Sequence, residues 1–253
     1  MEARGLGEGG GCRVLLLGPD PPPGFLGPCS TVWVPLHAAI PLSGSYPRAV
    51  AAAAGSDVVA FTSPRTPRMI VLDARSHGDP GALQALGGST AAAVGPATAR
   101  AVEKVLGARV GLVPREHTGW HLGLAISRLG PGRVAWLRGD PAGPGLRAAL
   151  EASGVELVEV IVYRLVETGM ERRALRLLEE GVVDYVAFTS PSTARLLAPR
   201  LPPSGFRVVA IGPTTASALR LYGVEPDCVP SRYSLDGVGD CVNLLETGRR
   251  TGA

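Results

Sequence analysis

A chain of 253 residues with 45% hydrophobic and 19% charged residues can bury a sizeable core, and its length suits two modest domains. A formal net charge of +3 is too small to mark a nucleic-acid or membrane partner, although it suits a small polyanionic ligand. Aromatics at 5% argue against a base-stacking platform, and no stretch approaches the ~20 apolar residues of a membrane span.

Met1–Gly11 is Gly-rich, and the apolar run Val14–Leu17 falls short of a signal-peptide core, so a cytoplasmic location is expected. Cys12–Leu17 and Thr31–Val34 read as strands, with Pro19–Pro28 as a loop between them. The four cysteines, Cys12, Cys29, Cys228 and Cys241, form no CxxC or CxH spacing; neither a zinc site nor a disulfide framework is expected, and Cys228 and Cys241 read as core thiols. Ala49–Ala54 is a helix segment. Val58–Phe61 is a strand that ends at Thr-Ser-Pro, and a helical pattern follows. Lys104, the only lysine, lies in another Ala-rich helical pattern, so Schiff-base chemistry is set aside. Strands are then expected at Val110–Val113, Arg133–Leu137, Val155–Val162 and Val186–Phe188, with helices near His117–Leu129 and Gly145–Ser153. Strands alternating with helices of this length predict parallel α/β layers. His117 and His121 stand one helical turn apart, as zinc ligands can, but no glutamate lies between them and no third ligand is evident.

The informative feature is a duplication. DVVAFTSPRTPR (Asp57–Arg68) recurs as DYVAFTSPSTAR (Asp184–Arg195), with nine of twelve positions identical at an offset of 127 residues. AVGPATARA (Ala93–Ala101) is answered by AIGPTTASA (Ala210–Ala218) at an offset of 117, and Val113-Pro114 by Val229-Pro230 at 116. The order is unchanged, so two copies of one lobe are the simplest account. In each copy Ser63 or Ser190 is a natural N-cap with proline at the first helical position; Gly95 and Gly212 end strands, and Pro96 and Pro213 open helices. The second copy lacks early strands nearby, which the N-terminal strands can supply. Residues 1–36 with 164–253 are therefore expected to form a discontinuous lobe one, and residues 37–163 an inserted lobe two. A cleft between such lobes is the default binding place. The Thr-Ser-Pro and Gly-Pro turns sit at the carboxyl ends of strands, where free N–H groups and the helix dipole suit carboxylate or phosphate.

With these residues the sequence resembles the uroporphyrinogen-III synthase family. The resemblance runs from Arg13 to Leu245 and rests on VAFTSP before a helix, GPATA and GPTTA, WLRG (Trp136–Gly139), VYR (Val162–Arg164) and VPSRYSLDG (Val229–Gly237), in that family's order and spacing. It implies two similar α/β lobes, each a parallel sheet flanked by helices, joined by a two-stranded connector. It implies an enzyme without metal or cofactor that cyclises hydroxymethylbilane, with inversion of ring D and loss of water, in tetrapyrrole biosynthesis. A transient hand-over from porphobilinogen deaminase is then expected, with no nucleic acid or membrane partner, and the chain is expected to be a monomer.

Carried over by position, Tyr163 is the residue that assists departure of the hydroxyl. Thr62, Ser63 and Arg65 form the first substrate-binding turn and Thr98 belongs to the second. Thr189, Ser190, Thr214 and Thr215 occupy the matching turns of the other lobe, and Arg138 is placed to meet a carboxylate. The serines and threonines serve equally well as caps, which is compatible with binding, while the arginines taken singly fit solvated surface charges. Two features depart from the family. Leu17-Gly18-Pro19 stands where many members have Thr-Arg-Pro, and Pro19–Pro28 reads as loop where a helix is usual. The alternative is a two-lobed cytoplasmic module that binds a polycarboxylate without reacting it; the ending GRRTGA is expected to leave no room for an output domain.

Overall fold

Short apolar runs buried on both faces become parallel strands, and they sort into two sheets. The computed structural model describes residues 11–19, 22, 25–78, 89–203 and 205–250; all of the Gly-rich stretch Met1–Gly11 except Gly11, and parts of the Pro19–Pro28 loop and of the terminal GRRTGA, lie outside them. The chain divides into two compact units: unit 1 comprises the residues up to Ala38 with those from Glu167 on, and unit 2 is Ala39–Val166.

The first part of unit 1 is β1 (Arg13–Leu17), β2 (Phe25–Leu26) and β3 (Cys29–Val34). The chain then runs through β4 (His37–Pro41), α1 (Ser45–Ala54), β5 (Val58–Phe61), α2 (Arg65–Ser76), β6 (Thr90–Ala93) and α3 (Pro96–Leu106). It continues with β7 (Val110–Leu112), α4 (Gly119–Ser127), β8 (Arg133–Asp140), α5 (Gly145–Glu151) and β9 (Glu156–Glu167). Unit 1 resumes with α6 (Glu171–Glu179), β10 (Tyr185–Phe188), α7 (Pro191–Leu197), β11 (Arg207–Ala210), α8 (Pro213–Arg220) and α9 (Leu235–Arg250). The two passages of the chain between units fall in β4 and β9.

Among the described residues one sheet has the order β11-β10-β1-β3-β2 and the other β4-β9-β8-β5-β6-β7. β1 runs parallel to both β10 and β3, and β5 parallel to both β6 and β8. The orders superimpose when β10 is matched to β5, β11 to β6, β1 to β8 and β3 to β9. The isolated bridge between Val209 and Cys228 takes the place of β7. Unit 1 is thus a circularly permuted copy of unit 2, with its β8 and β9 counterparts at the start of the chain.

Alternation along the central strands divides each core in two. Val59 and Phe61 of β5 pack with α1, α2 and α3, while Val58 and Ala60 pack with Leu122 and Ile126 of α4 and Leu146 and Leu150 of α5. Leu15 and Leu17 of β1 pack with α6, α7 and α8, while Val14 and Leu16 meet Val238 and Val242 of α9. No described helix in unit 1 matches α5. The connection from β1 to β3 instead carries β2, whose following turn at Gly27 (φ 61°) packs against Gly239 of α9, 3.0 Å between the Gly27 nitrogen and the place of a Gly239 Cβ.

Two expectations are corrected. The cysteines are paired, Cys12 with Cys29 and Cys228 with Cys241. The register of β1 on β3, Arg13 opposite Ser30, makes Cys12 and Cys29 cross-strand neighbours, and the bridge at Cys228 brings that residue to α9. Both pairings come from tertiary contact, which a motif search over spacing does not test. Second, α2 starts at Arg65 behind Pro64 with no side-chain cap, whereas α7 starts at Pro191 with Ser190 as its cap, accepting from the Thr193 N–H at 3.2 Å.

Candidate functional site

β5 delivers Thr62 and Ser63 at its carboxyl end, and the next strands in the sheet decide what these hydroxyls meet. Trp136 on β8 donates its indole N–H to Thr62 Oγ1 at 3.0 Å. Tyr163 on β9 donates its hydroxyl to Ser63 Oγ at 3.1 Å, and the Arg65 N–H donates to the same oxygen at 3.2 Å. With two donors already on it, the Ser63 oxygen holds its own proton available for a third partner. Tyr163 is 4% exposed, so its ring is packed while its hydroxyl stays in this turn.

Sequence explains how Tyr163 comes to lie there. The register between β8 and β9 slips after Arg138, from Arg138 opposite Ile161 to Gly139 opposite Tyr163, a bulge that re-aims the tyrosine. Its ring then crosses Gly139, where any Cβ would overlap it. Glycine is required at that position for space, not for backbone conformation.

These groups line a concavity of about 440 Å³ in unit 2, together with Arg65, His117 and the turn Ala142–Gly143. Its far wall is where α4 and α5 begin. They approach closely through glycines: a Cβ on Gly123 would lie 2.5 Å from that of Ala149, and one on Gly145 2.9 Å from the Trp120 nitrogen. Thr118 caps α4, its Oγ1 accepting from the His121 N–H at 3.2 Å. No aspartate or glutamate is among the described residues that line the concavity.

The remaining predicted residues are placed otherwise. Arg138 does not line the concavity; it lies 5.2 Å over the Trp136 ring and donates to Glu159 Oε2 at 2.6 Å, a carboxylate it shares with Arg147. Thr98 is buried in the first turn of α3. In unit 1, Thr189 donates to the Leu17 carbonyl at 2.7 Å, and Ser190 is occupied as the α7 cap and by Ser192 at 2.9 Å. Thr214 is exposed and Thr215 buried at the start of α8. Of the predicted turn residues, Thr62, Ser63 and Arg65 of unit 2 line the concavity, whereas Thr98 and the unit 1 residues do not.

The family model for uroporphyrinogen-III synthase HemD matches residues 31–239 of the chain. The chain belongs to the uroporphyrinogen-III synthase family. A curated relative, the uroporphyrinogen-III synthase of Chlorobaculum parvum, is 33% identical over 86 residues; that match spans 32% of this chain and 35%, about a third, of the relative's own length. The uroporphyrinogen-III synthetase of Helicobacter pylori shares the fold at TM-score 0.63 and 18% identity, covering 92% of this chain and 99% of that one. A mutant uroporphyrinogen III synthase from Thermus thermophilus does so at 0.58 and 21%, covering 93% and 99%. The mixed α/β architecture of this chain, two largely parallel sheets with flanking helices, is that of these structures.

Sequence reading passed over two contributors to the unit 2 site. Gly139 was legible only as the end of WLRG, and its role depends on the bulge opposite. His117 was weighed as half of a metal pair, but the structure sends His121 to Thr118 and to Glu116, 3.3 Å away, and leaves His117 on the concavity. The duplication held the signal: the 116-residue offset places His117 opposite Tyr233.

Proposed function

We propose that this protein is a uroporphyrinogen-III synthase, closing hydroxymethylbilane to uroporphyrinogen III with inversion of ring D and loss of water. Family membership over residues 31–239 carries the reading. The unit 2 concavity supports it, with no carboxylate among its described lining residues and a tyrosine–serine pair on its border.

The chemistry suits that pair. Loss of the substrate hydroxyl requires a proton to reach the departing oxygen, which leaves as water and generates an electrophilic azafulvene. Ser63, holding its own proton free while Tyr163 and Arg65 donate to it, presents an O–H to the leaving group, and Tyr163 supports the charge shift through the same bond. Attack by the substituted carbon of ring D gives a spiro intermediate, which fragments and recloses with the ring reversed. The task is mainly orientation and exclusion of water, so precise hydrogen bonding matters more than a strong acid. Substrate carboxylates would be met by Arg65 and the backbone N–H groups that open α2 and α4. The binding-only alternative has no observation in its favour beyond shared architecture.

The deciding experiment supplies hydroxymethylbilane from porphobilinogen deaminase in the presence of the protein and separates the oxidised porphyrin isomers. Predominantly type III product is expected. Type I alone, from folded protein, would overturn the reading.

A further inference from the structure

Resting on that synthase reading, we propose that His117 is a substrate-contacting residue, its imidazole binding a carboxylate of the tetrapyrrole precursor at the rim of the unit 2 concavity. Three observations lead there. His117 lines the same concavity as Thr62, Ser63, Arg65 and Tyr163, and its side chain is exposed to it. The ring lies against Gly95, where a Cβ would come within 3.2 Å of the His117 Cγ. Its nitrogens have no hydrogen-bond or ion-pair partner among the described residues. His121 bonds Thr118, His77 bonds Ser76 and the Asp73 carbonyl, and His37 is buried.

The duplication supplies an internal control. Tyr233, the counterpart of His117, lies against Gly212, the counterpart of Gly95, with its Cγ 3.3 Å from the place of a Cβ. Both units therefore seat a flat ring on the glycine of the Gly-Pro turn, and that packing needs no imidazole. What differs is chemistry: unit 2 carries two ring nitrogens in a concavity with no aspartate or glutamate among its described lining residues. An imidazole N–H so placed is open to an incoming ligand, and a carboxylate is its strongest acceptor.

The test separates packing from hydrogen bonding. His117→Phe keeps a ring on Gly95 and removes both nitrogens; His117→Tyr reproduces the residue of unit 1 and covers the case in which the first variant folds poorly. Uroporphyrin III, the air-stable aromatic form of the product, serves as the probe, and quenching of tryptophan fluorescence reports its binding because Trp136 lines the same concavity. Expected are an unfolding midpoint within 2 °C of wild type (about the scatter of a surface change), affinity for uroporphyrin III lowered about tenfold, and a rise in KM larger than the fall in kcat. His117→Gln, which retains an N–H donor, should recover part of the affinity. Equal porphyrin affinity of wild type and His117→Phe overturns the role of His117 even if type III product is formed. Type I product alone overturns the synthase reading, and the binding comparison still decides His117.

Discussion

At the end of β5, Thr62 accepts from Trp136 and Ser63 from Tyr163; at the end of β10, Thr189 donates to the Leu17 carbonyl and Ser190 accepts from the Thr193 N–H. The turns are the same four residues in both places, from Phe to Pro, and they stand at equivalent positions in equivalent sheets. The neighbouring strand makes the difference. β8 and β9 bring an indole and a phenol to unit 2, whereas β1 brings a bare carbonyl and Gly18, on which a Cβ would lie 2.5 Å from Thr189 Oγ1. One copy spends its hydroxyls on its own backbone and cap, and the other holds them at a concavity. The second faces of the two sheets diverge too: α4 and α5, drawn together by their glycines, cover that of unit 2, while unit 1 has α9, the β2 turn and both disulfides.

The largest effect should therefore appear on reduction. The bridges span 17 and 13 residues of sequence, and closing loops of that size stabilises a fold by about 3 kcal/mol each on a chain-entropy account. Thiol treatment, or paired Cys→Ser changes, should lower the denaturant midpoint of unit 1 and increase hydrogen exchange in α9, with unit 2 little altered. Four alkylatable thiols in unfolded, unreduced protein, or an unchanged midpoint on reduction, would refute the staple.

Tyr163→Phe comes next. Losing the phenol from the Ser63 pair should slow formation of the type III isomer about 100-fold, the low end for general acid–base assistance, with a much smaller change in unfolding midpoint. A parallel loss of stability and rate would make Tyr163 a packing residue. Ser190→Ala is the matched change in the other copy. It removes an N-cap, so about 1 kcal/mol of stability should go, while Ser63→Ala, where no helix is capped, should cost less stability and more turnover. Reversal of those two outcomes would exchange the roles assigned to the units.

The repeated strands and the Gly-Pro helix starts were legible because both depend on local pattern: four-residue apolar runs, and proline at a first helical turn. Pro96 and Pro213 open α3 and α8 as read. The disulfides were not legible, since Cys12 and Cys29 meet only through the register of β1 on β3. Nor was the different use of the two Thr-Ser pairs, because identical local sequence cannot report that β8 and β9 supply Trp136 and Tyr163 on one side while β1 supplies the Leu17 carbonyl on the other. The engagement of Arg138 was hidden for the same reason: its partner Glu159, which also pairs with Arg147, lies on the neighbouring strand, and the guanidinium is held there before any ligand arrives.

The smallest effect concerns His37, which opens β4 and has its Nδ1 buried without a partner among the described residues. Burial pushes its pKa below the ordinary histidine value, and the carboxylates of Glu167 and then Glu171 offset this only in part. The folded protein thus favours neutral His37, while the unfolded chain takes up a proton near pH 6.5. Stability from this site is complete above that pH and declines as pH falls from there toward the lower folded value, because the unfolded state then binds the extra proton. Between pH 7.5 and 5.5, a window chosen about the unfolded value of ~6.5 and above most carboxylate titration, the urea midpoint of wild type should fall more steeply than that of His37→Leu. The comparison is between slopes, so a constant loss from the altered packing drops out. Since His37 belongs to unit 1, the excess slope should follow the same transition that reduction of the disulfides lowers; parallel slopes in the two proteins would show that His37 does not remain neutral in the fold.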